Sequence, residues 1–184
     1  MSHLSHKPST TFNASEKNSA RYGIMTEMQR HPIRVYVDTC VFGGAFDMEF
    51  EKATRECFAQ VKQGQFHLIT SALVMEEVDN APASVQQLFS ELLLGSMTVI
   101  DTPGEAFDLQ QAYLDAGIVT TKWADDALHV ATATVTDCAL IVSWNFKHIV
   151  HYQKIPLYNA VNVTNGYRAI AIHSPIEVLN NDER

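Results

Sequence analysis

Four polar residues in this chain sit where chemistry could be done. Asp38 directly follows the apolar run IRVYV (33–37), Glu77 lies in LVMEEV, Asp126 opens DALHVATA, and Asn145 follows the run ALIV by three residues. A hydrophobic strand that ends in Asp-Thr delivers a carboxylate to the rim of a parallel sheet. Three such carboxylates brought together repel one another and cannot pack as ordinary core. A bound divalent cation is the simplest relief, so the chemistry implied is that of a metal-dependent enzyme.

Each residue also has a plainer reading. A strand-end Asp is often only a turn or cap residue, although Thr39 and the Gly43-Gly44 pair suggest a tight loop near a ligand. Glu76 and Glu77 are adjacent, so on a helix they diverge by about 100° and at most one faces a site. Asp125 and Asp126 pose the same choice beside the packing stripe Ala124, Ala127, Leu128 and Ala131. His129, on the same Ala-rich helix, reads as a core histidine before it reads as a ligand. Asn145 could simply cap a helix, or its amide could hold a carboxylate or a water. Ser143, Lys147 and His148 surround it, the last two within reach of a phosphate, and Trp144 suits packing as well as base stacking.

The elements that must position these residues follow from periodicity. Strands are expected at 33–37, 66–70, 97–100 and 139–142, with weaker candidates at 161–163 and 168–172. Helices are expected at 48–63, from Ser71 through Val78, from Pro82 through Leu94, at 103–116, at 121–136, and from Asn145 to His151. Short strands separated by helices imply βαβ units. The expected fold is α/β, a three-layer sandwich around a central, mainly parallel sheet. In such sheets ligands sit beyond the carboxyl ends of the strands, where Asp38 and Asn145 fall.

Composition sets the outer limits. The length of 184 residues fits one domain, and 46% hydrophobic with 18% charged residues is ordinary for a globular protein. A net charge of −8, from 21 acidic residues against 13 Lys and Arg, argues against a basic sequence-reading module. It leaves nucleic acid open as a substrate, because metal ions can neutralise phosphate at a site. No run approaches a membrane span. Cys40, Cys57 and Cys138 are scattered and odd in number, which reads as reduced thiols in the cytoplasm. Residues 1–32 are rich in Ser, Thr, Asn and His and are expected to be an N-terminal arm, with 33–184 the folded domain and Met25 or Met28 a candidate start. Phosphate-cradling glycine loops and a GxSxG elbow are absent from the sequence.

Taken together, the four segments resemble the PIN domain, the fold of VapC-type toxins and related Mg²⁺-dependent ribonucleases. DALHVATA (126–133) and SWNFKH (143–148) resemble one subgroup, and the likeness runs over about residues 33–179, including NAP at 80–82. It implies that Asp38, Glu77 and Asp126 are the metal-holding acids, Glu77 because it lies six residues after the Ser that opens its helix. The fourth position, often Asp in the family, is Asn145, and Cys40 stands where Ser or Asn is common. The resemblance implies a hydrolase: one or two Mg²⁺ or Mn²⁺ ions orient a water for attack on an RNA phosphodiester. Asn145 would assist, with Thr39, Ser143, Lys147 and His148 near the substrate. It further implies the toxin component of a type II toxin–antitoxin system, a small antitoxin partner and a homodimer. A non-catalytic binding module and a small-molecule phosphoesterase are the alternatives. In a metal-free state the clustered acids are expected to raise one another's pKa.

Overall fold

The computed structural model describes residues 32–179. The expected N-terminal arm and start sites lie outside them. Five strands form one sheet: β1 (Ile33–Val37), β2 (Phe66–Ser71), β3 (Met97–Ile100), β4 (Leu140–Val142) and β5 (Ala171–His173). Every pairing among the described strands is parallel, and the order is β3-β2-β1-β4-β5. The chain therefore builds outward from β1 to one edge, then returns to β1's other side with β4. The crevice between the ends of β1 and β4 is the topological switch point, where such sheets bind ligands.

Alternation along the strands divides the core into two layers. Tyr36, Ile69, Ile141 and Ile172 point to one face, where α5 (Gly104–Asp115), α6 (Ala124–Val135) and α7 (Ile155–Thr164) cover them. Val35, Val37, Leu68 and Val142 point to the other, against α1 (Thr39–Gly44), α2 (Glu51–Lys62), α3 (Ala72–Asp79) and α4 (Ala83–Leu93). The period of two sends neighbours to opposite faces, so the expected three-layer sandwich is present. Helix α6 is buried from Ala127 through Thr134. Its alanines allow neighbours to approach from several sides, and that holds Asp126 at a fixed height beside the sheet.

Several expected elements differ. The helix expected at 121–136 begins as a short 3-10 turn, Thr121–Trp123, before α6. Residues 145–151 form turns rather than a helix, because the Asn145 carbonyl accepts from both Ile149 and Val150 N–H at 3.0 and 2.8 Å. The strand expected at 161–163 lies inside α7. Val-Asn-Val reads as apolar alternation, yet Asn162 is the fully buried residue and Val163 is exposed. Asn162 accepts from the Tyr113 hydroxyl and donates to Thr134 Oγ1 at 3.2 Å, so a buried polar junction between three helices decides the segment. The last strand starts at Ala171 rather than 168. The Asn159 side chain takes both backbone groups of Ile170, at 2.8 and 3.1 Å, and so removes them from the ladder. A short α8 (Pro175–Val178) closes the described chain with a Ser174–Glu177 capping box.

The Gly43-Gly44 pair lies in α1, a helix the sequence did not suggest, and its two glycines are not equivalent. A Cβ on Gly44 would stand 2.5 Å from Trp144 Nε1 and 2.9 Å from Thr54 Oγ1, whereas one on Gly43 would meet nothing within 4 Å. Gly44→Ala should therefore destabilise by about 1–3 kcal/mol through overpacking. Gly43→Ala should be neutral or stabilising by up to about 1 kcal/mol through helix propensity. Urea unfolding of the two variants reads the opposite signs directly, and equal effects would show that Gly44 is not a contact glycine.

Candidate functional site

The switch-point crevice is an open cleft of about 560 Å³ lined by Asp38, Thr39, Cys40, Glu77, Asn80, Asp126, His129 and Asn145. All four principal residues picked out in the sequence are among these. Asp38 precedes α1 as its N-cap residue but makes no capping bond with its side chain. Its carboxylate is instead held by neighbours. Ser143 Oγ donates to Oδ2 at 2.8 Å, and the Cys40 thiol donates to both oxygens at 2.9 and 3.1 Å. Cys40 also receives the Trp144 N–H at 3.1 Å, so this position ties the end of β1 to the end of β4. Burial and the adjacent Asp38 charge push the Cys40 thiol well up, which keeps it a donor.

Glu77 is half-buried and faces the cleft, whereas Glu76 is exposed; likewise Asp126 faces it and Asp125 is exposed. The Thr39 hydroxyl donates to Glu77 Oε2. Asn145 Nδ2 donates to Asp126 Oδ1 at 2.7 Å, while its own Oδ1 accepts the His148 N–H at 2.9 Å. Asn145 thus holds an acid with its nitrogen, one of its two sequence readings; its oxygen accepts an N–H three residues on but caps no helix, because 145–151 form turns. Asp126 Oδ2 is buried with no hydrogen-bond partner.

The remaining candidates are placed differently. Ser143 is fully buried and acts within the site's scaffold through Asp38 and the Asn145 N–H. Trp144 packs: it stacks on Phe50 at 4.3 Å and donates from Nε1 to Thr54 Oγ1 at 2.9 Å. Lys147 is exposed, 4.7 Å from the centre of the Trp123 ring, and His148 is buried against that ring. Neither is among the residues lining the acid cleft.

His129 is the residue that sequence reasoning undervalued. It is 4% exposed, as a core histidine would be, yet it also lines the cleft. Nδ1 is 3.0 Å from the Tyr36 hydroxyl, itself 2.8 Å from Ser71 Oγ, and Nε2 is 3.6 Å from Glu77 Oε2. The last contact is an ion pair too long for a hydrogen bond. Ser71 caps α3 by position only, since its hydroxyl is taken by Tyr36. Burial opposes a charge on His129, but Glu77 beside Nε2 and the charges of Asp38 and Asp126 outweigh it and raise the pKa. When protonated, His129 supplies from within the protein part of the positive charge that relieves the neighbouring acids.

That cation alters the expected titration. Burial raises the Asp38 and Asp126 pKa values, with His129 opposing it; Glu77 adds to the rise at both, and Asp38 adds to it at Asp126. Glu77 moves the other way: burial pushes it up, but His129 and the Thr39 hydroxyl together bring it below its ordinary value. The expectation that the acids all raise one another therefore fails at Glu77, the acid nearest the imidazole. Among the described residues, no three His, Cys, Asp or Glu side chains stand close enough together to hold one metal ion directly.

A parallel α/β sheet with an acid-lined cleft at its switch point defines the class, and comparison gives the family. The model of the PIN domain matches residues 35–148, which include Asp38, Glu77, Asp126 and Asn145, and this chain belongs to that family. One chain in the crystal structure of VapBC2 from Rickettsia felis, bound to a DNA fragment from their promoter, is similar to it at 15% identity. That likeness covers 62% of this chain and 90% of the other, with a TM-score of 0.46. Comparison with curated proteins gave no significant match. No helix among the described residues is long and apolar enough to cross a membrane.

Proposed function

We propose that this PIN-domain protein is a metal-dependent endoribonuclease, with Mg²⁺ or Mn²⁺ as cofactor and RNA as substrate. The observation that carries the reading is the meeting of Asp38, Glu77, Asp126 and Asn145 on one cleft at the switch point. The donor chemistry fits such an ion. The three acids, Asp38, Glu77 and Asp126, offer hard oxygen ligands, and Asp126 Oδ2 is buried without a partner. Among the described residues no three such side chains are grouped to hold an ion directly, but Mg²⁺ keeps several of its waters, so acids around an open cleft can hold a hydrated ion. When bound, such an ion activates water and stabilises charge on the leaving oxygen.

The chain's own part is positioning. Ser143 and Cys40 fix the Asp38 carboxylate, Thr39 and His129 fix Glu77, and Asn145 fixes Asp126. The resemblance to VapC-type sequences supports a role as the toxin of a type II toxin–antitoxin pair. In that reading the protein works in the cytoplasm as a homodimer, and a small antitoxin covers the cleft.

A second reading has its own support. The fourth position is Asn145, and the described acids do not converge to chelating distance, as a non-catalytic RNA-binding PIN module would allow. The deciding measurement is cleavage of single-stranded RNA by purified protein in Mg²⁺ and in EDTA, alongside Asp38→Asn. Fragments that need both Mg²⁺ and Asp38 support the nuclease. Cleavage that ignores both would belong to a contaminant, and RNA binding without turnover would select the binding module.

A further inference from the structure

The cations of this acidic chain are not spread evenly. Of 13 lysines and arginines on a chain of net charge −8, three gather beside the cleft. Lys122 Nζ lies 4.9 Å and Lys147 Nζ 4.7 Å from the centre of the Trp123 ring. His148 stacks on the same ring at 4.4 Å, and Lys154 Nζ lies 3.0 Å from His148 Nδ1. None of the three ammonium groups forms an ion pair with a described carboxylate. The aromatic face attracts two of them but does not neutralise their charge. Lys154 feels the Asp126 carboxylate at longer range, but Lys122 and Lys147 are held by the ring alone, an arrangement suited to an anion that comes from outside.

His148 provides an independent sign of the same thing. It is 6% exposed, and its Nε2 is buried without a hydrogen-bond partner. An ammonium can only donate, so Lys154 makes Nδ1 the acceptor and leaves the proton of the neutral ring on Nε2. Burial, with Lys154, Lys147 and His151 nearby, lowers the His148 pKa, in keeping with that tautomer. An N–H donor is therefore left waiting for an acceptor. The cluster adjoins the acid wall through two hydrogen bonds, His148 N–H to Asn145 and Asn145 Nδ2 to Asp126. Lys154 lies beyond the segment that the family model matches.

We propose that Lys122, Lys147, Lys154 and the Nε2 edge of His148 form a phosphate-binding subsite. It takes a phosphodiester of single-stranded RNA next to the one that is cut, so the inference rests on the ribonuclease reading. Trp123 is the positioning residue: its ring spaces the two lysines and His148 and is already occupied by them, so it does not stack a base.

The test is fluorescence anisotropy of a labelled single-stranded RNA in EDTA across a salt series, comparing the parent with Lys122→Ala/Lys147→Ala. Both lysines are exposed, and an unchanged melting temperature confirms that the fold is kept. The double variant should bind at least tenfold more weakly. Its log–log salt slope should be shallower by about 0.7, since the subsite takes one phosphate and each single-strand phosphate neutralised contributes about 0.7. In Mg²⁺ its KM for cleavage should rise while kcat stays near the parent's. Equal affinity and slope, or no RNA binding by the parent, would overturn the subsite. The two readings fail separately. Binding that depends on the lysines without any Mg²⁺-dependent cleavage keeps the subsite and removes the nuclease, whereas cleavage with lysine-independent binding does the reverse.

Discussion

Asp126→Asn should leave the metal-free protein at least as stable as the parent and yet cut RNA about a hundredfold more slowly or worse, the scale of losing one preorganised polar group in an active site. The two effects have opposite signs for one physical reason. The asparagine keeps an Oδ1 that can accept from Asn145 Nδ2, so the local hydrogen bond survives. What disappears is a half-buried charge whose pKa is raised by burial and by Asp38 and Glu77, with His129 opposing. Removing it relieves repulsion in the resting protein. Solvent at the cleft mouth screens that gain to at most about 1 kcal/mol, or about 2–4 °C in Tm for a domain of this size. In the active state the same charge is needed to hold the ion. Urea unfolding in EDTA, melting with and without Mg²⁺, and the RNA assay measure the three sides of the argument. Mg²⁺ should raise Tm in the parent and less so in the variant. A variant less stable in EDTA would mean that the acids do not strain the fold, and undiminished cleavage would place the chemistry elsewhere.

What could be read from the sequence follows from how local each signal was. The strands 33–37 and 97–100 are short apolar runs bounded by turn residues, and both appear with those bounds. The catalytic candidates at strand ends, Asp38 and Asn145, were legible because a parallel sheet places such ends together. Choosing Glu77 over Glu76 and Asp126 over Asp125 needed the family resemblance, since adjacent helical residues differ only in phase; the placement of each side chain agrees with that choice. The tail was misread where polar side chains, not apolar pattern, decide the backbone: Asn162 turns 161–163 into helix and Asn159 delays the last strand. His129 was hidden for a related reason. Its role depends on Tyr36, Ser71 and Glu77, which are distant in sequence. Trp123 likewise meets His148 only through the fold, whereas the Lys154 contact to His148 is local in sequence.

His129→Gln should destabilise the metal-free protein by about 1–2 kcal/mol at pH 6, because it removes the buried partner of an ion pair whose other end, Glu77, is screened by solvent. Glutamine can replace the bond to Tyr36 but not the charge that faces Glu77, Asp38 and Asp126. The loss should itself depend on pH. The folded pKa of His129 lies above the ordinary value of about 6.5. The folded state therefore holds this proton more tightly than the unfolded state. The stabilisation is fully present below the unfolded pKa and is lost as pH rises through the folded one. The difference between parent and variant should accordingly shrink as pH is raised from 6 towards 9. Comparing the two proteins cancels Glu177, whose lowered pKa costs stability only in acid, and His148, whose lowered value acts against His129. Glu77 does respond to the loss of His129, but its lowered pKa also matters only in acid, below this window. Mg²⁺ adds the last step. If the acids hold the ion, it supplies positive charge where the imidazolium did, and it should restore part of the variant's stability. The metal-induced rise in Tm should then be larger in His129→Gln than in the parent at pH 6, where His129 is charged and competes. A rise of equal size in both would show that ion and imidazole do not share the same acids, and no rise in either would mean that Asp38, Glu77 and Asp126 hold no metal.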